Sequence, residues 1–283
     1  WCIIIIFKHS FRKVSHGPEF SRTITRRHNM KAYDIDNNKL VLKDFQAPSI
    51  GQNEVLIDVR AAGINRPDIF QRMGHYPPPP GVTEIPGLEV AGRIIKSNHS
   101  AWQKGDNVCA LLPGGGYAEQ AKAHGDHCLP IPDGLTLDES ASLPETYFTF
   151  WNNLFYRNDF KAGQTILIHG GASGIGTAAI QIVRAMGGLP YVTAGTAEKC
   201  KACLDLGAEA AIHYKQEAFE ERIHDITNDR GVDFILDMVG GDYFEKNMKS
   251  LAEEGTHISI AHLEGSKGIV PIRLMMMKRL KIT

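Results

Sequence analysis

The stretch HGGASGIGTAAIQIVRAMGG, residues 169–188, decides the fold because it joins a glycine-rich turn to a helix. It follows the β-branched segment TILIH, residues 165–169, and its later apolar residues recur at helical spacing. Strand, glycine turn and helix in that order are typical of a βαβ unit that binds phosphate at the start of the helix. The candidate phosphate-binding residues are Gly170, Gly171, Ala172, Ser173, Gly174, Ile175 and Gly176.

Segments on both sides of this turn predict two domains. After it, the strand-like segments LPYVTA, AAIHY, VDFILDMV and THISIA alternate with helical patterns, which predicts a doubly wound parallel sheet. Before it, residues 30–132 contain short strands and turns, with YPPPPG as an extended loop. We therefore predict a β-rich domain over residues 30–150 and a dinucleotide-binding domain over residues 151–283.

Two other phosphate-binding classes use similar glycine turns. A P-loop requires a lysine followed by serine or threonine after its last glycine, whereas Gly176 is followed by Thr177 and Ala178. Short-chain dehydrogenases carry the turn at the start of the chain and use a Tyr-x-x-x-Lys pair, and none of the eight tyrosines has a lysine four residues later. A dinucleotide-binding domain placed second in the chain remains.

The end of the second strand of that domain predicts the cofactor. A carboxylate at this point binds the ribose hydroxyls of NAD. The segment YVTAGTAEKCK places Gly195 and Thr196 at the strand end instead, with Lys199 one turn into the helix. A hydroxyl and an ammonium group suit a 2'-phosphate, so the sequence favours NADPH over NADH.

Composition limits the partners and the compartment. The 283 residues are 43% hydrophobic and carry a formal charge of −1, which gives no basic footprint for nucleic acid. The cysteines number five and are scattered, which favours a reducing cytoplasm. Cys200 and Cys203 form a CxxC, for which a redox or metal role is the less favoured reading. No segment is long enough to predict a membrane span.

Residues 1–29 differ from the rest of the chain, with six basic residues and one acidic residue. We expect an unstructured leader or upstream extension, with the start of the protein at Met30; a mitochondrial presequence is the alternative. The predicted location is cytoplasmic, or mitochondrial if the leader is genuine.

Four segments carry a family resemblance: AAGINRPDIFQRMGHYPPPPG, IPGLEVAG, GGGYAEQ and GQTILIHGGASGIGTAAIQIVR. With them the chain resembles the zinc-independent medium-chain dehydrogenases/reductases, specifically the zeta-crystallin-like NADPH:quinone reductases. The resemblance implies a GroES-like β-rich domain followed by a Rossmann domain. Ser173 departs from the family pattern, which more often has glycine there. The chain ends at MMMKRLKIT, where the family continues, so we expect an incomplete Rossmann domain and a homodimer only at full length.

The resemblance also implies that no metal is bound. Where the zinc-dependent branch has a histidine and a cysteine ligand, this chain has Leu88 and, near the second place, Asn65. The four-cysteine structural lobe is absent from the sequence. The trio His124, His127 and Cys128 is a rival metal site, but it falls in a predicted strand and its turn.

The implied site lies in the cleft between the domains. The resemblance places the candidate catalytic residues Asn65 and Tyr76 beside the nicotinamide, although Asn65 alternatively closes a turn and Tyr76 alternatively packs on the prolines. It implies further cofactor contacts for Thr149, Tyr214, Val239, Gly240, Ser259 and Ala261. The function implied is metal-free hydride transfer from NADPH to a quinone or related conjugated carbonyl. The alternatives are an NADPH-dependent 2-alkenal or enoyl reductase and a non-catalytic NADPH-binding protein.

Overall fold

The computed structural model describes residues 29–283 and the backbone of residues 3–6. The chain forms two compact units that divide between Glu145 and Thr146, whereas the sequence prediction set the boundary at 150/151. We call them the N-terminal and C-terminal units. Within the predicted leader, Ile3–Ile6 forms a strand and Asn29 begins another, so the leader is not wholly unstructured. The remainder of that segment, residues 1–2 and 7–28, lies outside the described residues.

The N-terminal unit is built on antiparallel strands. Its elements are β1 (Ile3–Ile6), β2 (Asn29–Asp36), β3 (Lys39–Gln46), β4 (Glu54–Ile64), α1 (Arg66–Arg72), β5 (Glu89–Ser97), β6 (Asn107–Leu111), β7 (Gln120–His124), β8 (Cys128–Pro130) and α2 (Leu137–Ser140), with a 3-10 turn at Gly125–His127. One sheet runs β1-β4-β5-β6-β8, with β7 also paired to β4, and β2 and β3 form a separate hairpin. Alternate residues of β4, Val55, Ile57 and Val59, are fully buried. That period of two gives the sheet one core face.

The C-terminal unit alternates helices and parallel strands. Helix α3 (Pro144–Trp151) contains the boundary in its first turn and continues as a π-helical turn at Asn152–Tyr156. The following elements are β9 (Thr165–Ile168), α4 (Gly174–Ala185), β10 (Leu189–Ala194), α5 (Ala197–Asp205), β11 (Ala210–His213), α6 (Phe219–Ile226), β12 (Val232–Asp237), α7 (Tyr243–Ser250), β13 (Leu251–Ser259), α8 (Ile272–Lys278) and β14 (Lys281–Ile282).

The parallel sheet has the order β11-β10-β9-β12-β13-β14. Counted within the unit this is 3-2-1-4-5-6, and the order reverses between β9 and β12, where such sheets bind dinucleotides. All four residues of β9 are buried because helices cover both faces of the sheet. The predicted doubly wound sheet is confirmed. No helix among the described residues is long and apolar enough to cross a membrane.

Candidate functional site

The glycine turn after β9 is closed by hydrogen bonds within itself. Gly170 has a φ of +68°, which favours glycine. The Ser173 N–H donates to the Gly170 carbonyl at 2.8 Å, and Ser173 Oγ accepts from the Gly176 N–H at 3.0 Å as the N-cap of α4. The N–H groups of Gly174 and Ile175 have no acceptor within the helix because they belong to its first turn. These two groups are suited to bind an anion.

Two glycines in this turn have no room for a side chain. A Cβ on Gly176 would lie 2.4 Å from the Gly170 carbonyl oxygen, and a Cβ on Gly171 would lie 2.6 Å from Val192 Cβ. Helix α4 therefore starts directly against the turn and against β10. The resulting cradle is of the kind that lets a pyrophosphate approach the backbone.

A concave pocket of about 260 Å³ lies against this turn. Seven of the predicted cofactor residues line it, and the lining also includes two residues that were not predicted, Ala194 and Lys215. The predicted ones are Gly170, Ala172, Ser173, Gly195, Thr196, Lys199 and Tyr214. The structure thus brings together the glycine turn, the end of β10 and the end of β11.

The end of β10 is shaped around Thr196. Its Oγ1 accepts from the Lys199 N–H at 3.3 Å and caps α5. Next to it, a Cβ on Gly195 would lie 3.1 Å from the Tyr214 hydroxyl, so the tyrosine ring covers this glycine. Sequence reasoning overlooked Glu198. Hydrogen bonds from its own N–H and from the Thr196 hydroxyl lower the pKa of Glu198, an acidic residue in the first turn of α5.

Behind the glycine turn, hydrogen bonds run into the protein interior. The Gly170 N–H donates to Thr193 Oγ1 at 3.3 Å, and Thr193 Oγ1 lies 3.1 Å from His169 Nδ1. His169 Nε2 lies 2.7 Å from Asn247 Oδ1. Since an amide oxygen only accepts, His169 carries its proton on Nε2 and accepts from Thr193 on Nδ1. Burial lowers the pKa of His169, which keeps the ring neutral.

The same chain continues to the loop after β12. Asn247 Nδ2 donates to Asp237 Oδ2 at 3.1 Å, and Asp237 Oδ1 accepts from the N–H groups of Val239 at 2.7 Å and Gly240 at 3.2 Å. His257 Nε2 lies 3.0 Å from Asp237 Oδ2. Burial opposes the charge on Asp237, but the bond from His257 and the neighbouring donors hold its pKa below the ordinary value. Sequence reasoning missed this network.

Of the remaining predicted cofactor residues, four follow or end β12 and β13, and one lies on α3. Gly240 has a φ of +69°, and the Val239 carbonyl accepts from the Glu264 N–H at 2.8 Å. Ser259 ends β13, where its N–H donates to the Thr283 carbonyl at 2.9 Å, and Ala261 follows half-buried. Thr149 is half-buried on α3, and its carbonyl accepts from Asn153 Nδ2 at 2.9 Å.

In the N-terminal unit, Asn65 is the N-cap residue of α1. Its backbone N–H donates to Asp68 Oδ2 at 2.7 Å, and its side-chain Nδ2 donates to Glu89 Oε1 at 2.8 Å. Asn65 therefore does close a helix turn, and its amide is also bound to a buried carboxyl group. Tyr76 is 43% exposed at the start of the proline-rich loop.

Glu89 is the residue that sequence reasoning missed beside Asn65. Only 1% of it is exposed, and its second oxygen, Oε2, accepts from the Glu145 N–H at 2.8 Å. Burial raises the pKa of Glu89 to about 7. Asp68 is also buried, and burial raises its pKa as well, although the N–H groups of Asn65 and Gly87 and the Tyr117 hydroxyl bond to it. Two buried carboxyl groups thus flank Asn65.

The residues that would have to hold a zinc ion do not fit that role. Leu88 is buried, and the Asn65 amide is bonded to Glu89. Among the residues that the structure describes, no three His, Cys, Asp or Glu side chains come together as a metal site. In the rival trio, the thiol of Cys128 faces the His124 carbonyl, and burial raises its pKa to about 12. A thiolate ligand is therefore disfavoured at neutral pH.

The CxxC lies on α5 with both side chains turned inward. Cys200 and Cys203 are buried, and burial raises the pKa of both thiols, that of Cys203 to about 11. Redox and metal chemistry require the thiolate. This geometry favours a structural role for the pair.

Comparisons with known proteins agree with this architecture. Residues 51–133 match the family described as alcohol dehydrogenase GroES-like domain, and residues 174–283 match the family described as zinc-binding dehydrogenase. The quinone oxidoreductase of Rattus norvegicus is 34% identical over 232 residues, which are 81% of this chain and 69% of that protein. A mycobacterial structure complexed with NADPH is 29% identical with a TM-score of 0.79, covering 90% of this chain and 81% of the other. The CurK enoyl reductase structure is 26% identical with a TM-score of 0.78, covering 89% of this chain and 80% of the other.

A GroES-like β domain followed by a 3-2-1-4-5-6 parallel sheet defines a medium-chain dehydrogenase/reductase. Within this class, the 34% identity to the rat quinone oxidoreductase over 81% of this chain identifies the family. The chain belongs to the zeta-crystallin-like quinone oxidoreductase family. It is therefore an oxidoreductase, and the family and fold predicted from the sequence are confirmed.

Proposed function

We propose that the chain is an NADPH-dependent oxidoreductase that reduces a quinone or related conjugated carbonyl without a metal ion. The observation that carries the cofactor assignment is the pocket at the glycine turn, which is lined by Thr196, Lys199, Tyr214 and Lys215. The mycobacterial relative complexed with NADPH and the rat quinone oxidoreductase support the cofactor and the acceptor class, respectively. Homodimer assembly and a cytoplasmic location stay predictions.

NADPH supplies the hydride when bound. The N–H groups at the start of α4, with the dipole of that helix, stabilise the pyrophosphate. Lys199 and Lys215 neutralise the 2'-phosphate, and Tyr214 covers the floor of that pocket at Gly195. The buried chain from His169 to Asp237 holds the glycine turn and the Val239–Gly240 loop in fixed relation.

The N-terminal unit contributes the polar group for the acceptor. Negative charge develops on the acceptor oxygen as the hydride arrives, and an N–H donor stabilises it. We assign this donor to the side-chain amide of Asn65 and assign contact with the body of the acceptor to the exposed ring of Tyr76. Because a quinone is already electrophilic, no metal ion is needed to activate it, and the residues around Leu88 do not offer a zinc site.

The direct test mixes the full chain and saturating NADPH with 1,4-naphthoquinone in a stopped-flow instrument. The absorbance of the reduced nicotinamide should fall. The Asn65→Ser variant keeps a residue that caps α1 but lacks the amide, and its kcat should fall on the order of 100-fold. Asn107→Ser, an exposed strand position, is the matched control and should match the wild type. A wild-type chain that consumes no NADPH with any quinone would overturn the proposal.

The second candidate is an NADPH-dependent 2-alkenal or enoyl reductase. The CurK enoyl reductase structure favours it, because its identity to this chain and its TM-score, 26% and 0.78, are close to the 29% and 0.79 of the mycobacterial structure complexed with NADPH. Faster NADPH oxidation with a simple 2-alkenal than with naphthoquinone would select this function. Thermal stabilisation by NADPH with no turnover of either acceptor would instead show a non-catalytic NADPH-binding protein.

A further inference from the structure

The hydrogen bonds between β10 and β11 continue past the ends of both strands. Ala194 and His213 are the last paired residues of these parallel strands. One residue further on, the Tyr214 N–H donates to the Ala194 carbonyl at 3.2 Å. The Gly195 carbonyl, which follows the last strand pair, is bonded by the His213 side chain, with 2.9 Å between Nε2 and the oxygen. The imidazole therefore adds one hydrogen bond to the edge of the sheet, beside the pocket at the glycine turn.

The backbone of His213 is held by the turn that follows β11. Its N–H donates to Glu217 Oε1 at 3.0 Å, and its carbonyl accepts from the N–H groups of Gln216 at 2.8 Å and Glu217 at 3.2 Å. Because a carbonyl oxygen only accepts, the ring carries a proton on Nε2 and donates it to Gly195. His213 is half-buried. Its connection to the pocket is made through the backbone of Gly195, which lines it.

This bond sets the direction of the peptide unit that joins Gly195 to Thr196. In a trans peptide the carbonyl and the N–H point in opposite directions, so the Thr196 N–H points away from His213. Thr196 lines the pocket and precedes the first residue of α5, so its N–H is not part of the helix. Within residues 29–283, this N–H has no acceptor. It is a free donor beside the pocket.

A phosphate in this pocket would respond to the two ends of that peptide unit in opposite ways. Its oxygens accept from an N–H, whereas a carbonyl oxygen turned toward them repels their charge. Gly195 has no Cβ, so the rotation of this peptide is less restricted than after any other residue. A bond that keeps the carbonyl on His213 therefore matters for a phosphate at this point. It matters little for a ligand that has no phosphate there.

We propose that His213 is a positioning residue for the 2'-phosphate of NADPH: it holds the Gly195 carbonyl away from the phosphate and leaves the Thr196 N–H as a further donor to it. The inference rests on the proposed function for its ligand, NADPH, and is independent of the acceptor that is reduced. NADH has a hydroxyl group in place of this phosphate and so no charge for the Thr196 N–H to neutralise. Loss of the His213 bond should accordingly weaken the binding of NADPH and leave that of NADH nearly unchanged.

His213→Met and His213→Gln form a matched pair of variants. Their side chains are equally long, but only glutamine can place an N–H where the imidazole Nε2 lies. We expect the Kd for NADPH, from fluorescence titration, to rise roughly fivefold or more in His213→Met, because a donor to a charged group is misplaced. The Kd for NADH should stay within about twofold in the same variant, which also shows that it is folded. In His213→Gln both constants should match those of the wild type.

Two results of this titration would overturn the proposal. One is a His213→Met protein that loses affinity for NADPH and NADH equally, because a residue that only stabilises the fold produces that result. The other is an unchanged affinity of His213→Met for NADPH. A wild type that binds NADPH and shows the expected difference but reduces no acceptor would retain the inference while losing the proposed reductase. A wild type that does not bind NADPH would overturn the cofactor assignment and the inference together.

A second readout follows the donor itself. In ¹⁵N spectra of the chain, the backbone signal of Thr196 should shift when adenosine 2'-phosphate is added and stay in place when adenosine is added. In His213→Met the shift should be lost, and in His213→Gln it should return. A Thr196 signal that responds equally to adenosine 2'-phosphate and adenosine would refute the inference, even if NADPH binds and a quinone is reduced.

Discussion

His169 Nε2 lies 2.7 Å from Asn247 Oδ1 across 78 residues of sequence, and both side chains are fully buried. This bond fixes the tautomer of the histidine and the orientation of the amide at once, because the amide nitrogen must then face Asp237. The hydrogen bonds consequently run in one direction from the Gly170 N–H to the Asp237 carboxylate. The glycine turn and the loop after β12 are held by the same network.

Asn247→Leu should break this network at its centre. The leucine has a similar volume but leaves His169 without its acceptor and removes one donor from Asp237, two losses in a buried site. We expect the free energy of unfolding to fall by about 2–4 kcal/mol. Urea unfolding monitored by circular dichroism measures it. Asn152→Leu, at an exposed position of the same unit, should lose less than about 0.5 kcal/mol, and equal losses in the two variants would contradict the argument.

Gly176→Ala should damage the cradle at the start of α4. The new Cβ would lie 2.4 Å from the Gly170 carbonyl oxygen, so the turn and the helix must separate. We expect a loss of about 1–3 kcal/mol in stability and a loss of NADPH binding of tenfold or more, measured by fluorescence titration. Gly51→Ala is the control, since its Cβ would meet Glu54 Oε2 at an ordinary 3.4 Å. Unchanged NADPH affinity in Gly176→Ala would exclude this turn as the pyrophosphate site.

The sequence was sufficient for most of the C-terminal unit because its local patterns agree with its tertiary contacts. LPYVTA forms β10 at the predicted residues, since the glycine pair before it and Gly195 after it limit the strand. The prediction for β13 was wrong by five residues. That strand begins at Leu251 and not at Thr256, because Leu251 pairs with Val232 across an irregular register. Helices and buried strands are both rich in apolar residues where one follows the other. Only the pairing of the strand with its neighbour therefore shows where the helix ends and the strand begins.

The candidate site likewise contains some residues that the sequence predicted and others that it did not. Ser173, Thr196 and Lys199 were predicted because each belongs to a short segment whose own residues indicate phosphate binding. In the sequence, Lys215 cannot be distinguished from other surface lysines, and only the fold shows that it lines the pocket. Glu89 lies 24 residues from Asn65, and His169 lies 78 from Asn247. Contacts of that range depend on strand order and register, which one sequence does not reveal.

Lys199→Gln should reduce the preference for NADPH over NADH. The ammonium group lines the pocket beside Lys215, and its removal takes away one charge that neutralises a 2'-phosphate. We expect the Kd for NADPH to rise roughly tenfold, about 1.4 kcal/mol, while the Kd for NADH stays the same. Lys201→Gln on the same helix removes a lysine that is paired with Asp205 and should change neither constant. An equal rise for both cofactors would show that Lys199 does not read the phosphate.

The neutral state of His169 should make the C-terminal unit sensitive to mild acid. Burial lowers the pKa of His169 below its ordinary 6.5, so below pH 6.5 the unfolded chain binds a proton that the folded chain does not. The free energy of unfolding therefore falls as the pH falls, by up to about 1.4 kcal/mol per pH unit while the ring stays neutral. The lowered pKa of Asp237 adds its own loss only as the pH falls below its ordinary 3.8.

His169→Gln removes the titrating group, so its stability should decline less than that of the wild type between pH 6.5 and 5.5, as measured by urea unfolding at each pH. Glu89 acts with the opposite sign, because its raised pKa makes the folded chain the better proton binder from pH 4.5 to about 7. That contribution is common to both proteins and cancels in the difference. His262→Gln, at an exposed histidine of the same unit, should retain the wild-type slope. Parallel pH profiles for wild type and His169→Gln would mean that the buried histidine accepts its proton without unfolding.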